Sequence, residues 1–263
     1  MEKGKEKFDI IIQGGQSNAD GEGRGFVEKE FNPSSKIKYL NSFKTINLLE
    51  NYLEIIYEDK PFEISVANNH LNNGELCGDF SLSFAEAYVK QGYLEKGRSL
   101  LIIRAAVGGT GFFGKHWGLN DSVYLKMLDM VDYALSLNRE NRVVAFLWHQ
   151  GEHDAVGRHD PKVYQEQLDS MIKAVRSRYG CMPFVVGDFV CEWKKTNKQL
   201  CEPILSVIHS VIEQNKKCGF VNTQGLLSNN QKLGNGDIIH FCRQSLQELG
   251  CRYFASFCKC LEK

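Results

Sequence analysis

An α/β fold, built as a three-layer αβα sandwich on a mostly parallel sheet, is predicted by three observations. The apolar runs at residues 8–12, 99–107, 142–149, 182–190 and 219–222 are continuous rather than alternating, as in strands buried on both faces. Between them lie stretches with apolar residues at helical spacing. The first two runs end in glycine-rich turns, which suits strands feeding loops at one edge of a sheet. Five such strands give a flavodoxin-like sheet, and the lack of any repeat, low-complexity segment or linker gives one domain over residues 1–263.

The elements follow in order. FDIII at residues 8–12 is a buried strand, broken by Gly14 and Gly15; Gln16 and Ser17 come next, then the turn formers Asn18, Asp20 and Gly21. Residues 21–35 read as loop, 37–40 as a short strand, 41–60 as a small antiparallel excursion, and 68–79 (NNHLNNGELCGD) as a long loop, with 61–67 unassigned. Apolar residues at 80, 84, 85, 88 and 89 predict a helix stopped by Gly92. The strand SLLIIRAAV at 99–107 ends in GGTGFFG, and a helix is expected over 123–137. RVVAFLWH at 142–149 is a strand that ends in QGEHD. Pro161 sits at the favoured first position of a helix reaching 179. A strand at 182–190, a helix at 199–215, a strand at 219–222, an Asn- and Gly-rich loop at 223–239 and a closing helix at 243–261 complete the chain.

Composition narrows the function. Lys+Arg and Asp+Glu are both 32, so the formal net charge is zero and no basic stripe marks a nucleic-acid surface. No apolar run is long enough to span a bilayer. The start, MEKGKEKFDIII, mixes acidic with basic residues and has only a short apolar run, unlike a secretory signal, so a cytoplasmic location is expected. The nine cysteines are odd in number, scattered and without a CxxC pair, which fits reduced thiols better than a disulfide or zinc framework.

Four motifs fall at strand ends or in loops: GGQSNADG around Ser17, GGTGFFGKHW around Gly109, WHQGEHDA around Gln150, and DIIHF with Asp237 and His240. Acyl transfer by serine needs a hydroxyl, a base, a group that orients the base, and donors for the oxyanion. Ser17 supplies the hydroxyl and His240 the base. Asp237, three residues before His240, is the orienting carboxylate. The Ser17 and Gly109 N–H groups and the Gln150 amide are the oxyanion donors, with Gly108 and Gly109 not separable by sequence. Without the other motifs, Ser17 reads first as a helix cap in a βα turn.

In this order the motifs resemble the SGNH hydrolase superfamily, and within it the sialate O-acetylesterase and acetylxylan esterase group, carbohydrate esterase family six. The likeness runs from residue 13 to 241. It implies an SGNH hydrolase fold and a serine esterase acting on an acetylated sugar, with Ser17, Asp237 and His240 catalytic and Gly109 as the second oxyanion N–H. Gln150 stands where the wider superfamily has an asparagine donor. The resemblance leaves Gln16 and Asn18 to shape the turn, and Glu152 to orient the Ser17 loop or Gln150, or to act as a further carboxylate near the imidazole. Ile238 or Ile239 stands where the family often has glycine.

The remaining residues carry weaker signals. His149 and His153 flank Glu152, but the order is not HExxH and Gly151 breaks a helix there, so no metal and no cofactor are expected. His116 and Trp117 read as pocket wall or as packing, Phe112 and Phe113 as sugar-stacking or core-closing rings, and Arg104 as a paired structural charge ahead of a residue near the cleft. His70, His159 and His209 read as solvent or packing residues. A lipase, thioesterase or arylesterase on the same scaffold is the nearest rival function, and a sugar-binding module with an inactive site is the second.

Overall fold

The computed structural model describes residues 6–50, 52–72 and 74–262. The chain enters through β1 (Lys7–Gly15), in which Ile10, Ile11 and Ile12 are fully buried. A one-turn helix α1 (Ser17–Asp20) follows, then β2 (Ile37–Asn41), β3 (Lys44–Leu49), β4 (Tyr52–Tyr57), β5 (Glu63–Val66), β6 (His70–Asn72) and β7 (Glu75–Cys77). From there helices and strands alternate through α2 (Phe80–Lys90), β8 (Arg98–Arg104), α3 (Ser122–Ser136), β9 (Arg142–His149), α4 (Glu152–Val156), α5 (Pro161–Tyr179) and β10 (Phe184–Gly187). The chain ends with α6 (Cys191–Thr196), α7 (Lys198–Gln214), β11 (Cys218–Val221), α8 (Asn229–Leu233) and α9 (Arg243–Leu261).

The five strands expected from apolar runs form the order β8-β1-β9-β10-β11, which is the flavodoxin-like order 2-1-3-4-5. The sheet itself has seven strands, not five: β2 adds in parallel beside β8, and β5 closes that edge antiparallel to β2. Both additions are short, and β5 is half exposed along its four residues, so it leaves no apolar run to read. The expected antiparallel excursion is the separate β3–β4 hairpin, and the expected loop at 68–79 holds the small β6–β7 hairpin.

β1 lies at the centre, hydrogen-bonded in parallel to β8 from Lys7↔Arg98 to Gln13↔Arg104 and to β9 from Asp9↔Arg142 to Gly15↔His149. The chain leaves β1 toward β8 on one side and β9 on the other, so β1 is the switch point of the topology. Loops leaving parallel strands emerge at one edge, and the crevice at the switch point is where such sheets bind ligands.

Helices cover both faces. α2 and α9 pack together on one side, where a Cβ on Gly250 would lie 2.1 Å from the Phe80 carbonyl, so only glycine lets the two backbones approach. On the other side α5 packs on α7, and α5 meets α3 through the Tyr179 hydroxyl, 2.9 Å from Asp132. At the end of β1 remote from the loops, Asp9 is fully buried and is held by Arg98 and Arg142, each with Nε 2.7 Å away, and by the Tyr88 hydroxyl at 2.9 Å. Two guanidiniums and a phenol offset the cost of taking that carboxylate out of water. Among the described residues no helix is long and apolar enough to cross a membrane.

Candidate active site

β1 ends in a turn that only glycine can make. Gly15 has φ of +130°, and a Cβ there would stand 2.1 Å from the His149 carbonyl oxygen. Release from the ladder is completed by Gln16, whose N–H donates to that same oxygen at 3.0 Å. Ser17 then opens α1, with its hydroxyl at the carboxyl edge of the sheet and only 9% of the residue exposed. The neighbouring turn is tied down by the Val107 N–H, which donates to Gly15 O at 3.1 Å, and by the Thr110 hydroxyl, which donates to Val107 O at 2.7 Å.

His240 arrives from the other end of the chain, in the loop between α8 and α9. Its Nε2 lies 2.9 Å from Ser17 Oγ, and its Nδ1 lies 3.0 and 3.1 Å from the two Asp237 carboxylate oxygens. The loop is wound so that the His240 backbone N–H also donates to Asp237, at 3.1 Å. Asn229, fully buried, donates from its side-chain amide to Asp237 Oδ2 at 2.8 Å and to the Glu22 carbonyl at 3.1 Å, and its backbone N–H donates to His240 O at 2.9 Å. Burial pushes the Asp237 carboxyl up, but the hydrogen bonds from His240 and Asn229 outweigh it and bring it down to about 2. Burial lowers the His240 imidazole, and the Asp237 carboxylate more than reverses this, with Glu22 and Glu152 adding to it, so the ring holds its proton above the ordinary histidine range.

Asn18 joins the two ends. Its Nδ2 donates to Ile239 O at 3.0 Å and its Oδ1 accepts the Phe241 N–H at 3.1 Å, so it grips the chain on both sides of His240. The same Nδ2 donates to Glu152 Oε1 at 2.8 Å. Glu152 is fully buried; burial raises its carboxyl, and the nearby His149 and Asn18 bring it below the usual range. His149 Nε2 stands 3.6 Å from Glu152, while His149 Nδ1 is 3.0 Å from the Tyr253 hydroxyl, which itself donates to Trp148 O at 2.7 Å. Of the roles open to Glu152, the hydrogen bond to Asn18 beside Ser17 is one this geometry provides, and its charge also acts on the His240 imidazole.

The residues expected as oxyanion donors differ in their settings. Neither the Ser17 nor the Gly109 N–H is taken up by an acceptor among the described residues. Gly109 lines the cavity beside Ser17, whereas a Cβ on Gly108 would pack 3.7 Å from Ser17 Cβ. Gln150 sits deeper. It is fully buried, does not line the cavity, and its amide donates to Asp154, to Gln16 Oε1 at 3.2 Å and to Thr110 O at 3.4 Å. The amide is committed to Asp154 because that buried carboxylate also takes the Phe112 and Phe113 N–H groups, at 3.2 and 2.8 Å, and so clamps the loop after Gly109 onto the start of α4. Gln16, expected to shape the turn, does so through Oε1, which accepts the His153 N–H at 3.0 Å.

The cavity at Ser17 measures about 370 Å³ and is lined by Gln16, Glu22, Gly109, Glu152, His153, Val156, Ile239 and His240. His116 and Trp117 are packing residues: both are buried, with His116 Nε2 3.1 Å from Leu53 O and the Trp117 indole donating to Thr110 Oγ1 at 2.9 Å. Phe112 is buried, while Phe113 is half exposed near His153 and His159. Arg104 pairs with Asp20 and lies over the Tyr39 ring, a structural charge. His70 is half buried against Gly21, His159 sits 3.0 Å from Gln167, and His209 packs on Phe220.

Compared with protein families, residues 7–259 match the model described as "Carbohydrate esterase, sialic acid-specific acetylesterase". The chain belongs to this carbohydrate esterase family. A relative in Arabidopsis thaliana, "Probable carbohydrate esterase At4g34215", is 27% identical over 173 residues, a match spanning 64% of this chain and 62% of that protein. Among solved structures, NanS superposes with a TM-score of 0.74 at 18% identity, covering 98% of each chain. The X-ray structure of the Arabidopsis protein gives 0.71 at 20% identity, covering 95% of this chain and 98% of that one. These likenesses show that the esterase family's fold runs through nearly the whole chain.

Within this member of the carbohydrate esterase family, three buried or half-buried residues of the site are not marked by sequence pattern. Asn229 lies in a stretch that reads as loop, Asp154 gives only a faint sign, and Glu22 sits in a turn among glycines. A faint sign existed for Asp154, the last residue of the QGEHD run, since a polar residue fixed in a glycine turn is a common loop anchor.

Proposed function

We propose that this protein is a serine esterase that removes O-acetyl groups from a carbohydrate through an acetyl-serine intermediate. The observation that carries the reading is the hydrogen-bonded chain from Ser17 Oγ through His240 to Asp237, with links of 2.9 and 3.0 Å. A serine hydroxyl is a poor nucleophile until a base takes its proton, and a base is useful when its tautomer is held by a carboxylate.

Ser17 Oγ attacks the acetyl carbonyl as its proton passes to His240 Nε2. Asp237 stabilises the imidazolium that forms. The tetrahedral oxyanion is met by the Ser17 and Gly109 N–H groups, whose preorganisation removes the cost of reorienting donors during the reaction. His240 then protonates the departing sugar hydroxyl. Water, deprotonated by the same imidazole, attacks the acetyl-serine and releases acetate. Every proton is carried by the chain's own residues, so the steps call for no metal or organic cofactor. The partner is an acetylated sugar small enough to bring its ester into the cavity beside Ser17.

The reading is tested by acetate release from a panel of acetylated sugars, set beside an octanoyl ester. Turnover of acetylated sugars that is lost in Ser17→Ala supports it. Undiminished turnover in that variant, or a preference for the octanoyl ester, contradicts it.

A further inference from the structure

His153 lines the cavity at Ser17, and the proposed mechanism does not use it. The other polar side chains there have partners. The Asn72 amide donates to both Glu22 oxygens, at 2.9 and 3.0 Å, and Arg24 approaches the same carboxylate at 3.8 Å. Glu152 accepts from Asn18 at 2.8 Å, and Gln16 Oε1 accepts from the Gln150 amide at 3.2 Å. The His153 ring has no such tie. Among the described residues neither of its nitrogens meets a donor or an acceptor, and neither is sealed in the core. Two uncommitted hydrogen-bonding atoms beside the nucleophile suit a ligand.

The ring is nevertheless held in place. The His153 backbone N–H donates to Gln16 Oε1 at 3.0 Å, which ties it to the residue before Ser17, and its carbonyl accepts the Gly157 N–H at 2.9 Å. The His116 ring stands edge-on to it and the Phe113 ring is tilted against it, each with centroids 6.2 Å away. A ring fixed in this way loses little rotamer freedom when a ligand binds. Burial, and next the neighbouring His116, push the His153 imidazole below the ordinary histidine range. At neutral pH it is therefore uncharged, with one N–H to give and one lone pair to offer. A hydroxyl has the same two capacities, so ring and hydroxyl match in either direction.

We propose that His153 is a sugar-binding residue of this cavity: its ring exchanges a hydrogen bond with a sugar hydroxyl near the ester, and so favours sugar acetates over simple ones. This rests on the reading of the chain as a carbohydrate esterase. A substrate without that hydroxyl leaves the ring unpaired in the closed site, which is how a polar pocket rejects an analogue lacking the group. The contact is made before the reaction as well as during it, so it acts on KM more than on kcat.

The probes are mono-O-acetylated glucose, xylose and sialic acid, set beside nitrophenyl acetate, which has no sugar hydroxyl. His153→Phe keeps the ring contacts with Phe113 and His116 and removes both nitrogens. For each acetylated sugar that the wild-type protein turns over, the variant is expected to lose about tenfold in kcat/KM, mostly as a higher KM, with nitrophenyl acetate within about twofold of wild type. Equal losses on both classes of substrate, the sign of a packing role, overturn the proposal without touching the esterase reading, and so does unchanged sugar turnover in the folded variant. If His153→Phe does not fold, His153→Ala is read by the same two comparisons. Hydrolysis of nitrophenyl acetate with no turnover of any acetylated sugar by the wild-type protein overturns the carbohydrate reading and this inference with it.

Discussion

The Asn18 amide donates to Glu152 Oε1 at 2.8 Å, and both groups are buried. This contact fixes which way the amide faces, and the amide in turn holds Ile239 O and Phe241 N, on either side of the imidazole. The Ser17 turn and the His240 loop, 223 positions apart in sequence, are thus tied together by the side chain next to Ser17.

Asn18→Ala is expected to lower kcat by about 10²-fold, because a misplacement of about 1 Å between reacting groups costs on that order. Stability is expected to fall by about 2 kcal/mol, since Glu152 and the Phe241 N–H are left buried without their partner. Steady-state kinetics with denaturant unfolding checks both. A stable variant with wild-type turnover would show that the register is held elsewhere.

Asp237→Asn is expected to lower kcat by roughly 10²–10⁴-fold, as loss of the orienting carboxylate does in serine triads generally. The ring loses its charged partner and is expected to titrate lower. Its kcat/KM profile against pH is therefore expected to shift to lower pH, and an unmoved profile would count against Asp237 as the orienting group.

The pH dependence of the wild-type protein follows from His240. A base must be unprotonated to act, and Asp237 holds this ring's proton above the usual value near 6.5. The acid limb of kcat/KM is expected to have its midpoint above that value. The stability contributions run in opposite senses. His240, whose folded value is raised, stabilises fully below its unfolded value, and this is lost as pH rises through the folded one. Asp237, depressed to about 2, stabilises above its unfolded value near 3.9, and this is lost as pH falls through about 2. A kcat/KM profile and a series of denaturation midpoints against pH check the two together.

Asp154→Ala is expected to cost about 2–4 kcal/mol, because two backbone N–H groups and the Gln150 amide lose a buried acceptor. As the 112–113 segment relaxes, Gly109 loses its fixed place, so kcat is expected to fall more than KM rises. Thermal melts with separate kcat and KM values check this, and a fully active, stable variant would remove Asp154 as a loop anchor.

Much of this arrangement is legible in the residue order. Ser17, Asp237 and His240 sit in short motifs whose chemistry demands one another, and parallel strands bring their loops to one edge. The five central strands announce themselves because burial on both faces requires unbroken apolar runs, as with Ile10 to Ile12. β5 does not, since an edge strand of four half-exposed residues needs no such run. Gln150 is legible as a site residue, but a strand-end amide can serve an oxyanion or a buried carboxylate, and its contact with Asp154 is set by packing that the residue order does not show. Asn229 and Glu22 are set by tertiary contacts with Asp237 and Asn72, between segments that local pattern cannot pair.

The central claim is that Ser17 attacks with His240 as its base, and covalent trapping tests it most directly. A fluorophosphonate probe followed by peptide mass spectrometry is expected to place one adduct on Ser17, formed with loss of the ester substrate's turnover and slowed by orders of magnitude in His240→Ala. An adduct on another residue, or full turnover of a protein blocked at Ser17, would contradict it.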